Sequence, residues 1–320
     1  MPTQPVVRIG ARGSKLSLTQ SGIVQRRIAA ALGVDPDNAA EVERVAPLIP
    51  ITTTGDRVQD RRLLEIGGKG LFTKEIEEAL MDGRIDCAVH SMKDMPAELP
   101  EGLCIAAIPE REDPRDAFIS RGPERLEDLT EGAILGTASL RRQAQCLHRR
   151  PDLEAKLLRG NVETRLGKLE AGEYDAILLA YSGLRRLGLG HLPKSLIDPK
   201  EAPPAPGQGA LAVETRAADR DLPWAQALRC RPTTLAVAAE RGALIALEGS
   251  CRTPIGAHAW LEGGTCKLIV EALSPDGKLR FRHSGEAELS QMADPEASAR
   301  DLGLSLGLAV KEEAGDAIVL

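Results

Sequence analysis

Ala79-Leu80-Met81-Asp82-Gly83-Arg84-Ile85-Asp86-Cys87-Ala88-Val89 has a second copy of its pattern further along the chain, in Lys168-Leu169-Glu170-Ala171-Gly172-Glu173-Tyr174-Asp175-Ala176-Ile177-Leu178. In each, a helical pattern runs out at a glycine, the residue that best tolerates the left-handed backbone of a helix C-terminus. The chain then turns through an aspartate into a short apolar run of the kind found in strands buried on both faces. Helix, glycine and strand form a common construction, but two copies in matching order predict two lobes of similar topology with a cleft between them.

Outward from these segments, short apolar runs alternate with amphipathic stretches. Strands are expected at 6–11, 45–52, 85–90, 103–108, 134–136, 153–158 and 176–180, and helices at 17–32, 72–81, 139–149, 162–171 and 233–247, by spacing and by flanking caps or glycines. That alternation is an α/β pattern. A charged crossing, Glu110-Arg111-Glu112-Asp113-Pro114-Arg115-Asp116, follows the first lobe, and a proline-rich one, Pro203-Pro204-Ala205-Pro206-Gly207-Gln208-Gly209, follows the second. Two crossings imply that the chain leaves the first lobe, builds the second and returns. Beyond Arg231 come a helix, strands near 256–261, 265–273 and 279–285, and a last helix near 295–313, which together read as a small α+β domain. The expected domains are residues 1–110 with 208–228, residues 114–203, and residues 230–320.

A chain of 320 residues exceeds what one hydrophobic core usually serves, in keeping with several domains. Lysine and arginine number 41 against 47 aspartates and glutamates, a net charge of −6. With three Phe, two Tyr and two Trp in the whole chain, neither a basic balance nor stacking aromatics point to a nucleic acid. A small acidic ligand is the better partner. No apolar run approaches the ~18 residues of a membrane span and no signal-peptide core precedes the first strand, so a soluble, cytoplasmic protein is expected. The six cysteines are scattered, with no CxxC and no Cys/His cluster at zinc spacing, so free thiols and no metal site are expected.

Basic character is local in this acidic chain. Arg141 and Arg142 follow Thr137-Ala138-Ser139 at the first turn of an expected helix, the end where the backbone dipole is already positive. Cations there make sense when an anion joins them, held by exposed N–H groups and by guanidinium forks. Arg159, in Leu158-Arg159-Gly160-Asn161, and Arg165 just inside the next helix extend the group, and Arg12-Gly13-Ser14-Lys15 repeats it at the turn after the first strand. A solvated basic face accounts for any one of these arginines more easily than for the set.

Cys251 lies in Leu247-Glu248-Gly249-Ser250-Cys251-Arg252-Thr253-Pro254-Ile255-Gly256, a loop placed to aim a side chain into a cleft. A neighbouring cation such as Arg252 favours the thiolate, but a lone loop cysteine is more often an inert thiol, and both readings stand at this point. The other five cysteines sit in apolar or strand-like contexts and read as packing residues. His90-Ser91-Met92-Lys93-Asp94-Met95-Pro96 follows a buried strand at the end where α/β sheets place ligands. Lys93 offers an anion contact and Asp94 a carboxylate for a developing cation, unless the two form a surface ion pair. Gly67-Gly68-Lys69-Gly70 lacks the frame of a phosphate loop and reads more readily as a mobile loop.

Together these segments resemble the porphobilinogen deaminase, or hydroxymethylbilane synthase, family. The resemblance is carried by Gly55-Asp56-Arg57, Gly67-Gly68-Lys69-Gly70-Leu71-Phe72, Ala88-Val89-His90-Ser91-Met92-Lys93-Asp94 and Arg111-Glu112-Asp113-Pro114-Arg115-Asp116-Ala117. It continues through Ser139-Leu140-Arg141-Arg142-Gln143, Leu158-Arg159-Gly160-Asn161-Val162 with Thr164-Arg165, Gly207-Gln208-Gly209-Ala210, and Glu248-Gly249-Ser250-Cys251 with Pro254-Ile255-Gly256. The segments run in register from Arg8 to Ala259, and the remaining tail fits in length without a diagnostic motif.

The resemblance implies a cytoplasmic transferase of porphyrin (haem) biosynthesis, and the few aromatics and lack of a long apolar surface helix favour a monomer. It would join porphobilinogens head to tail with loss of ammonia and release linear hydroxymethylbilane by attack of water. It implies a dipyrromethane cofactor attached through a thioether to Cys251 as the primer, held by Lys93, Asp94, Ser139, Arg141 and Arg142. It implies Arg12, Ser14, Gln20, Lys69, Arg159, Arg165 and Arg186 as contacts of the substrate carboxylates, Asp94 as the catalytic carboxylate beneath the pyrrole nitrogens, and residues 67–72 as a lid. Each pyrrole carries an acetate and a propionate, so the growing chain is a polyanion of the kind the arginine turns suit. Gly13, Ala138 and Glu65 depart from relatives, none at a catalytic position. The competing expectation is a non-catalytic anion receptor whose two lobes resemble periplasmic binding proteins, which requires an export signal and no reactive thiol. A cysteine hydrolase requires a histidine base, and His258, at the start of a strand, is poorly placed for it.

Overall fold

The structure is a computed structural model that describes residues 6–54, 73–248 and 253–318. It holds two compact units, residues 1–111 with 210–234 and residues 112–209 with 235–320. In the first, β1 (Ile9–Arg12) leads into α1 (Lys15–Ala31), then α2 (Ala39–Val45), β2 (Leu48–Ile51), α3 (Lys74–Met81), β3 (Cys87–Ser91) and β4 (Leu103–Ala107). The second begins with β5 (Asp116–Ser120), β6 (Ile134–Gly136), α4 (Leu140–Arg149), β7 (Glu154–Lys156), α5 (Val162–Glu170), β8 (Ala176–Ala180), α6 (Tyr181–Arg186) and β9 (Ser195–Leu196). The chain returns as β10 (Leu211–Arg216) and α7 (Pro223–Gln226), and the long α8 (Arg231–Ala246) leads on to β11 (Ile255–Glu262), β12 (Thr265–Leu273), β13 (Arg280–Glu288) and α9 (Pro295–Ala314).

One sheet is built twice. The first has the order β2-β1-β3-β10-β4 and the second β7-β6-β8-β5-β9. In the first, β1 pairs parallel with β2 and β3, and in the second β6 pairs parallel with β7 and β8. An antiparallel strand comes next in each, β10 against β3 and β4, and β5 against β8 and β9. The strands of the repeated sequence, β3 and β8, occupy the same central place.

The repeat holds at the level of single hydrogen bonds. Gly83 and Gly172 end their helices at φ 69° and 81°, a backbone that a side chain would strain. Behind them, Arg84 N–H donates to Ala79 O at 3.0 Å and Glu173 N–H to Lys168 O at 3.1 Å. Asp86 N–H then donates to Arg8 O at 2.8 Å while Arg8 N–H donates to Asp86 Oδ2 at 2.8 Å. Asp175 N–H donates to Ile134 O at 2.9 Å while Ile134 N–H donates to Asp175 Oδ2 at 2.8 Å. In both lobes the aspartate clasps the entry of the central strand to its neighbour, which is the physical reason for the repeated Gly-x-x-Asp.

Three strands, the two-residue β9 and the longer β5 and β10, have no counterpart among those expected from sequence. Residues 110–116 were expected to be a charged crossing, yet Asp116 opens β5, and β10 follows directly on the proline-rich crossing. Each carries a buried carboxylate, Asp116 and Glu214, which breaks the apolar pattern of a core strand. Both carboxylates have distant partners: Glu214 Oε2 lies 3.0 Å from His90 Nε2 on β3, and Asp116 meets two arginines on α4. The short helices α2 and α6 are also additions, and α2 limits β2 to four residues where eight were expected.

The last three strands form an antiparallel meander, β11-β12-β13, whose apolar residues pack with those of α8 and α9 around Leu268, Val270, Val310 and Ala299. Among the described residues no helix is long and apolar enough to cross a membrane.

Candidate active site

In the first unit β1 and β3 are parallel neighbours, so the turns that follow them leave from the same end of the sheet. Ser14 caps α1, its Oγ accepting from Ser17 N–H at 3.3 Å, and Arg12 before it is half-buried. Gln20 is buried and donates from Nε2 to Ser91 Oγ at 2.9 Å, fastening α1 to the last residue of β3. Beyond Ser91 the chain makes one tight turn, Met92–Asp94. Buried Met92 anchors it, donating its N–H to Ala210 O at 3.0 Å. The turn leaves Lys93 half-buried and Asp94 exposed, with no hydrogen bond or ion pair on the Asp94 carboxylate among the described residues.

In the second unit Ser139 is the N-cap of α4: its Oγ accepts from Arg142 N–H at 3.4 Å, and Thr137 Oγ1 accepts from Ser139 N–H at 3.1 Å. Arg141 and Arg142 are only 4% and 6% exposed, and both meet the carboxylate of Asp116, itself 3% exposed. Arg141 Nη1 donates to Asp116 Oδ2 at 2.7 Å, to Gln145 Oε1 at 2.8 Å and to Pro203 O at 3.2 Å. Arg142 donates from Nε and Nη2 to Asp116 Oδ1 at 3.0 and 2.8 Å, and from Nη1 to Leu178 O at 3.1 Å. Gln208 completes the cluster, its Nε2 donating to Asp116 Oδ1 at 2.8 Å and to Pro114 O at 2.7 Å.

The first anion beside these two arginines thus belongs to the chain itself. Burial alone would raise the Asp116 carboxyl, and the two guanidiniums reverse that and hold it far below the usual carboxylate range. Two cations on one carboxylate still leave the cluster positive. One donor is also left over: Arg141 Nε is buried and finds no hydrogen-bond partner among the described residues.

Arg159 and Arg165 flank the cap of α5, both half-buried. Asn161 Oδ1 accepts from Thr164 N–H at 2.8 Å, and Arg165 Nε donates to Gly160 O at 2.8 Å. Arg186, the last residue of α6, donates from Nη2 to Gly209 O at 2.7 Å. Burial pushes its guanidinium down to about 10 against the attraction of Glu112, and among the described residues it forms no ion pair. A half-buried cation whose hydrogen bond among the described residues goes to a carbonyl is suited to an incoming carboxylate.

Cys251, Lys69, Glu65, the expected lid at 67–72 and Gly55-Asp56-Arg57 lie outside the described residues. Of the other thiols, burial pushes Cys146 up to about 12 and Cys266 up to about 11, and raises Cys87 as well. Cys104 Sγ lies 3.6 Å from Thr215 Oγ1, and Cys230 Sγ accepts from Thr233 Oγ1 at 3.3 Å. His258 sits within β11, stacked on Trp260 with ring centroids 5.6 Å apart and its Nδ1 3.8 Å from Glu240 Oε1. Asp116, Gln145 and Gln208 were not among the expected site residues. Asp116 and Gln208 do lie within the family-like segments, which is the signal that could have found them.

Comparison with known proteins gives two matching family models: "Porphobilinogen deaminase, dipyromethane cofactor binding domain" over residues 7–223, and "Porphobilinogen deaminase, C-terminal domain" over residues 234–312. The curated porphobilinogen deaminase of Caulobacter sp. (strain K31) is 70% identical over 320 residues, covering 100% of this chain and 99% of the relative. That of Caulobacter vibrioides (strain NA1000 / CB15N) is 70% identical over 322 residues with the same coverage. Among solved structures, the methionine binding protein MetQ is 13% identical at a TM-score of 0.42, with 69% of this chain and 89% of that chain covered. A periplasmic substrate-binding protein of an ABC transporter from Coxiella burnetii is 15% identical at a TM-score of 0.43, with 70% and 90% covered.

Proposed function

The chain belongs to the porphobilinogen deaminase family, and we propose that Cys251 carries its dipyrromethane cofactor while Lys93, Asp94, Ser139, Arg141 and Arg142 hold that cofactor in place. The activity is that of the family: a transferase that condenses porphobilinogens head to tail with loss of ammonia on a dipyrromethane primer and releases hydroxymethylbilane by hydrolysis. Full-length deaminase relatives favour it over a non-catalytic anion receptor.

The residues present fit an acidic dipyrrole, and the observation that carries the assignment is Arg141. Its guanidinium stands at a capped helix N-terminus, in a cluster with one more cation than carboxylate, with Nε–H buried and unused among the described residues. When bound, the cofactor supplies a nucleophilic pyrrole carbon and several carboxylates. Arg141 and Arg142 hold those carboxylates, each charge-assisted contact contributing ~1.5–3 kcal/mol, while Asp116 and Gln208 keep the guanidiniums aimed.

Arg12, Ser14, Lys69, Arg159, Arg165 and Arg186 bind the acetate and propionate of the substrate. Gln20, also in that set, acts one step back, since its amide is bound to Ser91. Asp94 accepts the pyrrole N–H groups and stabilises the cation that forms on porphobilinogen as ammonia leaves. Its exposure on a turn anchored by Met92 leaves the carboxylate open to an incoming substrate. Residues 1–110 with 208–228, 114–203 and 230–320 act as three domains, the third bearing Cys251, in a cytoplasmic monomer.

Steady-state turnover of porphobilinogen by Arg186→Leu tests the assignment of the carboxylate contacts. A KM raised roughly tenfold or more, with the dipyrromethane content of the purified protein unchanged, is the expected result. An unchanged KM removes Arg186 from the substrate contacts.

A further inference from the structure

Gln145 stands one helical turn after Arg141 on α4 and is buried with it. Its Oε1 accepts from Arg141 Nη1 at 2.8 Å, and its Nε2 donates to Glu271 Oε1 at 2.9 Å and to Pro203 O at 2.9 Å. Glu271 belongs to β12 of the C-terminal sheet and is 1% exposed. Its other oxygen accepts from Arg280 Nε at 2.7 Å and Arg282 Nη1 at 3.3 Å, so two guanidiniums of β13 neutralise a carboxylate that could not otherwise be buried.

An ionised carboxylate only accepts hydrogen bonds, so Gln145 must turn its NH₂ end to Glu271 and its carbonyl end to Arg141. Which way this amide points is thereby fixed jointly by Arg141, Pro203 O and a carboxylate of another sheet. In register, Glu271 is opposite Gly256 of β11, the strand into which the Cys251 loop leads. A Cβ at Gly256 would lie 2.5 Å from Pro203 O, the same carbonyl that accepts from Arg141 and Gln145. The sheet that follows the cofactor loop therefore meets the arginine helix through one carbonyl, one amide and one carboxylate.

We propose that Glu271 and Gln145 are positioning residues for primer attachment: Glu271 orients Gln145, and Gln145 pins Nη1 of Arg141 so that its Nε–H faces the carboxylates of the incoming dipyrrole. The proposal rests on the assignment of Arg141 as a cofactor contact. Neither residue touches the reacting atoms.

The test follows loading of the full-length protein, prepared without cofactor in cells unable to make porphobilinogen, by intact mass after porphobilinogen is added. Gln145→Glu keeps the acceptor toward Arg141 but sets a second carboxylate against Glu271, and is expected to slow loading roughly tenfold. Exchanging the pair, Gln145→Glu with Glu271→Gln, restores a donor facing an acceptor and is expected to return loading to within roughly threefold of wild type. Gln145→Leu is expected to load slowly whether position 271 is Glu or Gln, because the link is cut. Melting temperatures taken beside these rates confirm that each variant is folded.

Loading at the wild-type rate in both Gln145→Glu and Gln145→Leu, whatever their melting temperatures, overturns the proposal and leaves these contacts as structural only. So does an exchanged pair that folds and still loads slowly. Arg141→Leu, run alongside, separates the two levels: normal loading in that variant overturns the assignment of Arg141 itself, whereas slow loading in Arg141→Leu with normal loading in both Gln145 variants overturns the positioning role alone.

Discussion

The turn at Met92–Asp94 and the helix start at Ser139–Arg142 present their charges in opposite surroundings. Asp94 is exposed and its carboxylate has no hydrogen bond or ion pair among the described residues, whereas Arg141 and Arg142 are buried and meet Asp116, Gln145, Gln208 and two backbone carbonyls. A single carboxylate that stabilises a transient cation needs only to be ionised and in reach. Cations that hold several carboxylates at fixed spacing must be ordered beforehand, and buried guanidiniums persist only beside a resident anion. Stability and chemistry should therefore separate between the two regions.

Asp116→Asn gives the largest expected effect, because it leaves two buried guanidiniums without a carboxylate. Urea unfolding should show a loss of about 3–5 kcal/mol, and dipyrromethane should be absent or much reduced in the purified protein. The pH dependence has a definite sign. The folded Asp116 carboxyl is held below its unfolded value, so its contribution is complete above pH ~4 and is lost as pH falls toward the folded value. Below pH ~4 the stability of wild type should fall more steeply than that of Asp116→Asn. Equal urea midpoints for the two proteins would erase the distinction between the regions.

Asp94→Asn comes next and should behave in the opposite way. Its kcat should fall by ~10²–10³ while its melting temperature stays at the wild-type value. A melting temperature lowered as far as that of Asp116→Asn would mean that the turn, too, is held together by its charged side chain. Smallest is Ser139→Ala, which removes the α4 cap and should cost about 1 kcal/mol in urea unfolding.

The same contrast explains what was legible before the structure. The repeated Gly-x-x-Asp reported both central strands because its hydrogen bonds close within a few residues and one neighbouring strand. The turn that carries Asp94 and the cap before Arg141 and Arg142 were legible as well, since turn and cap positions are local. The neighbours of the arginines were not. Asp116 lies 25 residues before Arg141, and Glu271 lies 126 residues after Gln145, so no local pattern links them. Burial of the carboxylates in β5 and β10 also hid those strands, because a charged residue opposite a distant arginine or histidine looks the same in sequence as one facing water.

Intact mass of the protein made in cells that produce porphobilinogen, followed by peptide mapping of the segment around Cys251, tests most directly whether a covalent primer underlies the activity. A mass excess of two pyrrole units on that peptide, absent from Cys251→Ser, is the expected result. A freely alkylated Cys251, still unmodified after incubation with porphobilinogen, would contradict it.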